Sequence, residues 1–359
     1  MFIVCRDCLC DGSMEEIILD ENGVCNFCLT AQRALIECEK EKPKLEKIID
    51  LIKKDGKEYD CLIGLSGGVD SSMVLHHSKK LGLKPLCFTM DNGYNDPKAD
   101  ANILQMVEKL KVPLYRYVLD LEKFRDVQSA YLKAGVVNVE AIYDHLLWGA
   151  SYEMAEKYGI KWILSGGNTA TESIMPKSWS YDSRDLTNMK DIYWQVKGKK
   201  LKSKYGSFPL VSIWKFNWYR WWKGIKTVYL LDFLDYNREE SIKLLQTEYG
   251  YTPYGLKHEE NTFTSWFQNF YLFEKFGIDK RKAHYSSMIN SGQMTKEEAL
   301  LVITDRPIYP GLGIEDKVMG YPKRKHEDYK VDVWYPRISK LISKLYKYGL
   351  LRRISNNVI

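Results

Sequence analysis

Residues 66–72, Ser-Gly-Gly-Val-Asp-Ser-Ser, have the composition of a phosphate-binding turn. An apolar run precedes them and a helical pattern follows, so the turn would aim backbone N–H groups and a helix N-terminus at an anion. Two glycines permit a close backbone approach and positive φ, and the aspartate would cap the helix or help hold Mg²⁺. No Gly-Lys-Ser/Thr follows, which excludes a Walker A loop. We therefore predict a phosphate site rather than an ordinary turn, formed by Ser66, Gly67, Gly68, Asp70, Ser71 and Ser72.

A second chemical pattern lies at the amino terminus, where two C-x2-C pairs occur: Cys5, Cys8, Cys25 and Cys28. This spacing is typical of a structural Zn²⁺ site with four thiolates, as opposed to two incidental pairs. The surrounding segment has few large apolar residues, so metal binding would supply its folding free energy. Cys10 is close enough in sequence to compete as a ligand. Cys61 and Cys87 lie in apolar, strand-like runs and are interpreted as small buried hydrophobes.

The length and composition of the chain limit the number of domains, the kind of substrate and the cellular location that we expect. The chain has 359 residues, 28% of them charged, and a net charge of +6. This length allows two domains with cores, and the mild charge permits an anionic substrate without requiring a nucleic acid. The start resembles no signal peptide, and the most aromatic stretch is interrupted by charges. We expect a cytoplasmic protein that makes no membrane contact, with its cysteines reduced.

Strand-like and helical patterns alternate from residue 59 onward. Strands are predicted at 59–65, 85–90, 114–118 and 161–164, with a further strand at 227–231. This alternation predicts an α/β fold with a doubly wound, mostly parallel sheet, which binds ligands at the carboxyl ends of its strands. We divide the chain into a zinc knuckle module (1–35), an α/β ATP-binding domain (36–240) and a helical carboxyl-terminal region (241–359).

Helices are predicted over 37–54, 121–133 and 139–158, and the chain is mostly helical after residue 237. The tail at 334–353 is predicted to be a basic amphipathic helix that packs on the domain or on a partner. Between 195 and 226, nine Lys and Arg residues occur with no Asp or Glu, interleaved with aromatic residues. This segment either binds anions and stacks bases or is an amphipathic packing segment with solvated lysines; both interpretations stay open.

The loop at 66–72 resembles the PP-loop of ATP pyrophosphatases, which split ATP into AMP and pyrophosphate. With the knuckle at 22–28 and the blocks at 249–268, 275–284 and 291–300, the chain resembles the N-acetyl sugar amidotransferases of the WbpG type. That family acts in bacterial surface-polysaccharide biosynthesis, and its fold is adenine nucleotide alpha hydrolase-like. The resemblance covers nearly the whole chain and is weakest at 175–225 and after 305. Val69 departs from it, because several relatives carry lysine there.

The resemblance implies an enzyme of lipopolysaccharide O-antigen assembly. It would convert an acetamido group on a nucleotide-linked sugar, a UDP-diacetamido uronic acid, into an acetamidino group, using ATP, Mg²⁺ and ammonia. The chain has no evident glutaminase of its own, because Phe2 stands where an amino-terminal nucleophile would need cysteine. In the family, ammonia comes from a glutaminase subunit and a cyclase-like barrel subunit that resemble the histidine-biosynthesis pair.

The remaining candidate residues are those that the resemblance assigns to the substrates of this reaction. We assign Thr89, Met90 and Asn92 to adenosine, Gly166 and Gly167 to the α-phosphate, Asn168 and Glu172 to substrate or metal, and Lys257, His258, Lys280 and Arg281 to the charges of the sugar nucleotide. The main alternative is a PP-loop enzyme that modifies tRNA, by thiolation or a related reaction, with 195–226 holding RNA. A third possibility is a non-catalytic zinc-knuckle adaptor.

Overall fold

The computed structural model describes residues 3–254, 257 and 259–333. Within these residues, a five-stranded sheet has the order β3-β2-β1-β4-β5. Each neighbouring pair is parallel, so the predicted parallel sheet is confirmed. The strands are β1 (Cys61–Gly64), β2 (Pro85–Asp91), β3 (Leu114–Val118), β4 (Trp162–Ser165) and β5 (Lys226–Tyr229).

Helices cover both faces of this sheet. Those before β4 are α1 (Asn26–Glu41), α2 (Leu45–Asp55), α3 (Val69–Lys80), α4 (Pro97–Leu110), α5 (Leu121–Ala134) and α6 (Ala141–Lys157). Those after β4 are α7 (Thr169–Glu172), α8 (Leu186–Lys197), α9 (Ile213–Trp221), α10 (Arg238–Tyr249), α11 (Thr262–Trp266), α12 (Lys280–Asn290), α13 (Lys296–Ile303) and α14 (Glu315–Met319). A π-helical stretch, Phe267–Phe276, continues α11.

The two faces of the sheet bury separate apolar layers. Along β1, Cys61 and Ile63 pack in one layer with α2, α3 and α4, whereas Leu62 packs in the other with α5 and α6. Side chains alternate between the faces of a strand, so a sheet covered on both sides needs a continuous apolar run. The predicted strands have this pattern, which is why their positions agree closely with the structure.

The strand order reverses at β1, which lies between β2 and β4. Connections leave in opposite directions at this point, and a crevice opens beyond the carboxyl ends of β1 and β4. The loop at 66–72 follows β1, and the second glycine pair, Gly166 and Gly167, follows β4. The fold therefore brings both predicted phosphate loops to one place.

Some helices differ from the prediction. The helix expected at 37–54 is two helices, α1 and α2, separated by a 3₁₀ turn at Lys42–Lys44, where Pro43 interrupts the hydrogen-bond ladder. Helices α8 and α9 were not predicted, because the basic and aromatic residues hide their periodicity. The tail at 334–353 lies outside the described residues, and the three-part domain division stays a prediction. Within the described ranges, no helix is both long and apolar enough to cross a membrane.

Candidate active site

The loop after β1 depends on glycine at two positions. Gly67 has φ of +81°, and a Cβ there would lie 2.4 Å from the carbonyl oxygen of Ala99. Gly68 is the N-cap of α3, and a Cβ there would lie 2.9 Å from the hydroxyl of Tyr254. The Gly68 N–H donates to Ser66 Oγ at 3.2 Å. Glycine thus permits close packing at the start of α3, and the assignment of this loop to a phosphate stays a prediction.

The loop after β4 packs against the first loop. A Cβ on Gly166 would lie 3.0 Å from the backbone nitrogen of Ser71. Asn168 caps α7, where its Oδ1 accepts hydrogen bonds from the Thr171 N–H at 2.9 Å and the Thr171 hydroxyl at 3.0 Å. The structure therefore gives Asn168 a capping role, and its assignment to substrate or metal stays a prediction.

A lysine joins the two loops electrostatically. Lys257 Nζ lies 2.9 Å from Asp70 Oδ2 and 2.9 Å from Glu172 Oε1, and it donates to Thr171 Oγ1 at 2.5 Å. Burial alone would lower the pKa of this ammonium group, but the two carboxylates outweigh it and raise the pKa. The hydroxyl of Tyr236 donates to the other oxygen of Asp70. Lys257 thus supplies a cation beside the loop in which Val69 offers none.

Asp70 and Glu172 also form a donor set that suits Mg²⁺. Both carboxylates reach the same ammonium group, so their oxygens lie near one another at the cavity wall. Carboxylate oxygen is the ligand type that Mg²⁺ prefers alongside substrate phosphates. These two residues would hold the ion.

Two charged residues at the cavity were missed from the sequence. Glu260 lies on the walls of two cavities, and burial raises the pKa of its carboxyl group. Arg238, at the start of α10, also lies on the walls of two cavities, and its guanidinium forms no ion pair with the part of the chain that the structure describes. Arg238 precedes two glutamates in the sequence, so it resembles an ordinary helix-start residue and gave no signal.

Cavities of about 450, 560 and 220 Å³ adjoin at this edge of the sheet. The first is lined by the phosphate loop together with Gly166, Gly167 and the ring of Trp148. Thr89 and Met90 line the second cavity, and their assignment to adenosine stays a prediction. Asn92 is buried elsewhere, where its Oδ1 accepts a 3.0 Å hydrogen bond from Asn261. The three cavities together offer space for more than one substrate.

The four candidate charges for the sugar nucleotide have different surroundings. Lys257 and Lys280 line the cavities. Burial lowers the pKa of Lys280, opposed by the nearby carboxylates of Glu140 and Asp144. Arg281 also lines the smallest cavity, but its Nη2 lies 2.7 Å from Asp279 Oδ2. His258 lies outside the described residues, so the set stays a prediction.

The four predicted metal ligands form one closed cluster. All four sulfur atoms lie within 4.8 Å of one another, and all four cysteines are buried and free of disulfides. Cys5 Sγ lies 3.9 Å from Cys28 Sγ, and Cys8 Sγ lies 3.8 Å from Cys25 Sγ. Tetrahedral Zn²⁺ with bonds of about 2.3 Å places its sulfurs about 3.8 Å apart, so the donor set fits a structural Zn²⁺.

Hydrogen bonds connect the cysteine cluster to the carboxyl-terminal helices. The Asn290 amide donates to Cys28 Sγ at 3.3 Å, and Leu9 N–H donates to Ser286 Oγ at 3.0 Å. Lys296 Nζ donates to the carbonyl of Cys5 at 2.9 Å. The same helix, α12, begins at Lys280 on the cavity wall. The metal module therefore supports one side of the candidate active site.

Comparisons with known proteins bear on this part of the chain. Residues 260–318 match the family model described as LPS biosynthesis protein WbpG-like, C-terminal domain. The predicted resemblance to the WbpG type is confirmed. The matched segment includes α11, α12, α13 and all but the last residue of α14, and it contributes Glu260 and Lys280 to the cavity walls.

A relative and two solved structures are also similar. The uncharacterized protein MJ1599 of Methanocaldococcus jannaschii is 29% identical over 164 residues, which is 45% of this chain and 58% of the relative. NMN synthetase from Francisella tularensis shares 16% identity with a TM-score of 0.32, over 61% of this chain and 98% of that one. NH3-dependent NAD synthetase from Campylobacter jejuni shares 15% with a TM-score of 0.30, over 61% and 99%. The chain thus spans little more than half the length of this curated relative. The TM-scores of the two solved structures are too low to support an inference about function.

Proposed function

We propose that the chain is an ATP-dependent amidotransferase of bacterial surface-polysaccharide biosynthesis. It converts an acetamido group of a nucleotide-linked sugar, with a UDP-diacetamido uronic acid as the first candidate, into an acetamidino group. One observation carries the proposal. The segment that matches the WbpG-like model supplies walls to the cavities that the glycine loop also lines. A family-specific segment and a phosphate site therefore meet in one place.

The first step activates an amide, which is a poor electrophile. The acetamido oxygen attacks the α-phosphorus of ATP, pyrophosphate leaves, and an O-adenylyl imidate forms. Backbone N–H groups at the start of α3 and the hydroxyls of Ser66 and Ser71 hold the leaving pyrophosphate. Lys257 stabilises the charge that develops, whereas Arg238 binds the phosphates of ATP equally in the ground state and the transition state. When bound by Asp70 and Glu172, Mg²⁺ would neutralise phosphate oxygens.

In the second step ammonia attacks the imidate carbon and AMP leaves with the former amide oxygen, which gives the amidine. Ammonia would come from a partner glutaminase subunit, together with the cyclase-like barrel subunit. The surroundings of two cysteines support an outside source. Cys61 and Cys87 are buried in strands, and burial raises the pKa of the Cys87 thiol to about 12. Neither is placed to act as a glutaminase nucleophile.

The alternative of tRNA thiolation has less support. Sulfur transfer usually needs a reactive cysteine or cluster ligands beside the phosphate loop. Within the described residues, no cysteine lines the three cavities. A tRNA-modifying enzyme would be favoured by tRNA binding that weakens steeply with salt.

Mass spectrometry of reactions with ATP, Mg²⁺, ammonium and the UDP-diacetamido uronic acid tests the proposal. We expect a product in which NH replaces the acetamido oxygen, with equal amounts of AMP and pyrophosphate. The Asp70→Asn variant should form none of these products, whereas Asp235→Asn, an exposed aspartate away from the cavities, should match the wild type. If tRNA triggers pyrophosphate release and none of the sugars tested does, the amidotransferase proposal is wrong and the tRNA-modifying alternative is favoured.

A further inference from the structure

Helix α9 and its C-cap residue present an exposed row of indoles, here called the tryptophan face, formed by Trp214, Trp218, Trp221 and Trp222. These residues are 65%, 37%, 52% and 83% exposed, respectively. Residues at i, i+4, i+7 and i+8 share one side of a helix. A single exposed apolar residue is ordinary, but a contiguous group of four large ones marks an interaction surface.

The opposite side of α9 is anchored in the core. Phe216 and Tyr219 are buried and contact Tyr152 of α6, with ring centroids 5.3 and 5.0 Å away. The side chain of Ser212 caps the helix by accepting a hydrogen bond from the Lys215 N–H at 3.3 Å. The helix is therefore held in a fixed orientation. Its core side is already packed by Phe216 and Tyr219, so the exposed tryptophans belong to a separate, outward-facing side.

The sequence segment that carries the tryptophan face is basic. Residues 195–226 contain eight lysines, one arginine and no acidic residue. Several of the lysines pair with acidic groups of α5 and α6, as Lys199 does with Asp126 and Lys223 does with Glu156. Lys200, Lys202 and Lys215 are exposed and form no ion pair with any residue that the structure describes. Their charges are available to an anionic surface.

The residue types distinguish between possible occupants. Protein interfaces favour arginine and are depleted in lysine, whereas this segment has eight lysines to one arginine. Helices that lie at a membrane surface combine lysine or arginine with tryptophan, and indoles concentrate at the level of lipid headgroups. We propose that the tryptophan face binds an anionic lipid surface, with α9 lying in the plane of the headgroups.

This proposal replaces the expectation that the chain makes no membrane contact, and it is independent of the proposed reaction. It requires no spanning helix, since α9 has nine residues. The contact would be reversible, because a short interfacial helix buries only one side in the lipid. Helix α6 links the two sites, since it packs against α9 and also carries Trp148 on the cavity wall.

Sedimentation of the full chain with lipid vesicles tests the proposal. One set of vesicles contains phosphatidylcholine alone, and the other contains about 30% phosphatidylglycerol. We expect binding to the anionic vesicles only, reduced by about 0.5 M salt through screening. Tryptophan fluorescence should shift to shorter wavelength on binding, because indoles leave water.

Variants assign the binding to this surface. The double variant Trp218→Ser, Trp222→Ser should lose about tenfold in bound fraction. Leu301→Ser, a matched change of an exposed apolar residue on α13, should bind as the wild type does. Both variants should keep the unfolding midpoint of the wild type. Absence of binding to anionic vesicles would overturn the proposal. Equal binding of the double variant, or binding of RNA at this face in place of vesicles, would also overturn it.

Discussion

The cysteine cluster and the cavity cluster both gather ionisable groups, but only one is open. In the first, four sulfurs approach one another to within 4.8 Å and are shut away from solvent. In the second, Asp70, Glu172 and Lys257 pair with one another while lining a cavity of about 450 Å³. A closed set of ligands can only hold its ion, whereas an open set can exchange partners with a substrate. Similar local pairing is thus suited to holding an ion in one place and to exchanging partners with a ligand in the other.

The two clusters are connected through α12. Ser286 and Asn290, towards its end, contact the cysteine module, whereas Lys280 and His284, in its first half, line the cavities. Helix α12 is one continuous hydrogen-bonded element, so a displacement at its cysteine-module end moves its cavity end. We expect metal loss to affect activity through position and folding rather than through chemistry.

The largest effect should come from breaking the closed cluster. Cys25→Ser removes one of four ligands and should lower the free energy of unfolding by more than about 4 kcal/mol, because the module has little apolar core of its own. Thermal unfolding and zinc content measured together check this. Cys10→Ser changes a cysteine beside the cluster, whose backbone N–H donates to Cys8 Sγ but whose own sulfur is not one of the four, and it should keep one zinc per chain. Equal zinc content in both variants would contradict the assigned ligand set.

A substitution in the open cluster should change the catalytic rate rather than the stability of the fold. Asp70→Asn keeps the size of the side chain but removes the charge that Lys257 contacts, so under the proposed function kcat should fall about 100-fold or more. The unfolding midpoint should change little, since the carboxylate sits at a cavity wall. Pyrophosphate release measures the rate, with Asp235→Asn as the control. A large loss of stability with unchanged kcat would reverse the roles assigned to the two clusters.

Both clusters could be predicted from sequence because short-range rules fix them. C-x2-C spacing sets the geometry of each half of the metal site, and a glycine loop between strand and helix sets the phosphate site. The continuous apolar runs predict the buried parallel strands. Each of these patterns lies within a few residues, so no long-range contact is needed to interpret it.

The remainder of the site depends on contacts between distant segments. Glu260 and Arg238 reach the cavities through the packing of α10 and the segment before α11, and nothing in their local sequence indicates this. Asn92 and Asn168 carry suitable chemical groups, but the fold uses them in a side-chain pair and a helix cap. Polar residue types are common to capping and to binding, so residue type alone could not separate the two roles.

Arg238 differs from Lys257 in the open cluster, because its guanidinium forms no ion pair with any described residue and so is available to a ligand. Arg238→Gln should raise KM for ATP about tenfold, because a charge-assisted contact with phosphate is lost. We expect kcat to stay within about twofold. Lys243→Gln, a change of similar charge on the exposed side of the same helix, is the control. An unchanged KM for ATP would remove Arg238 from the phosphate site.

The smallest effect should appear in the dependence of stability on pH. Burial raises the pKa of Glu140 from 4.5 to about 8, and the Thr264 hydroxyl donates to its carboxylate. The folded state therefore holds this proton more strongly than the unfolded chain does. The stabilisation is fully present below about pH 4.5 and is lost as the pH rises towards 8.

Glu140→Gln removes this titration, so the variant should become more stable relative to the wild type as the pH rises. The relative gain between about pH 5 and pH 8 should be about 1 kcal/mol, because cavity water and Lys280 reduce the cost of the charge. Urea unfolding at both pH values measures it, with the exposed Glu239→Gln on α10 as the control. A parallel pH dependence in wild type and variant would show that Glu140 is ionised throughout, and that the cavity is more open at this wall than at the phosphate loop.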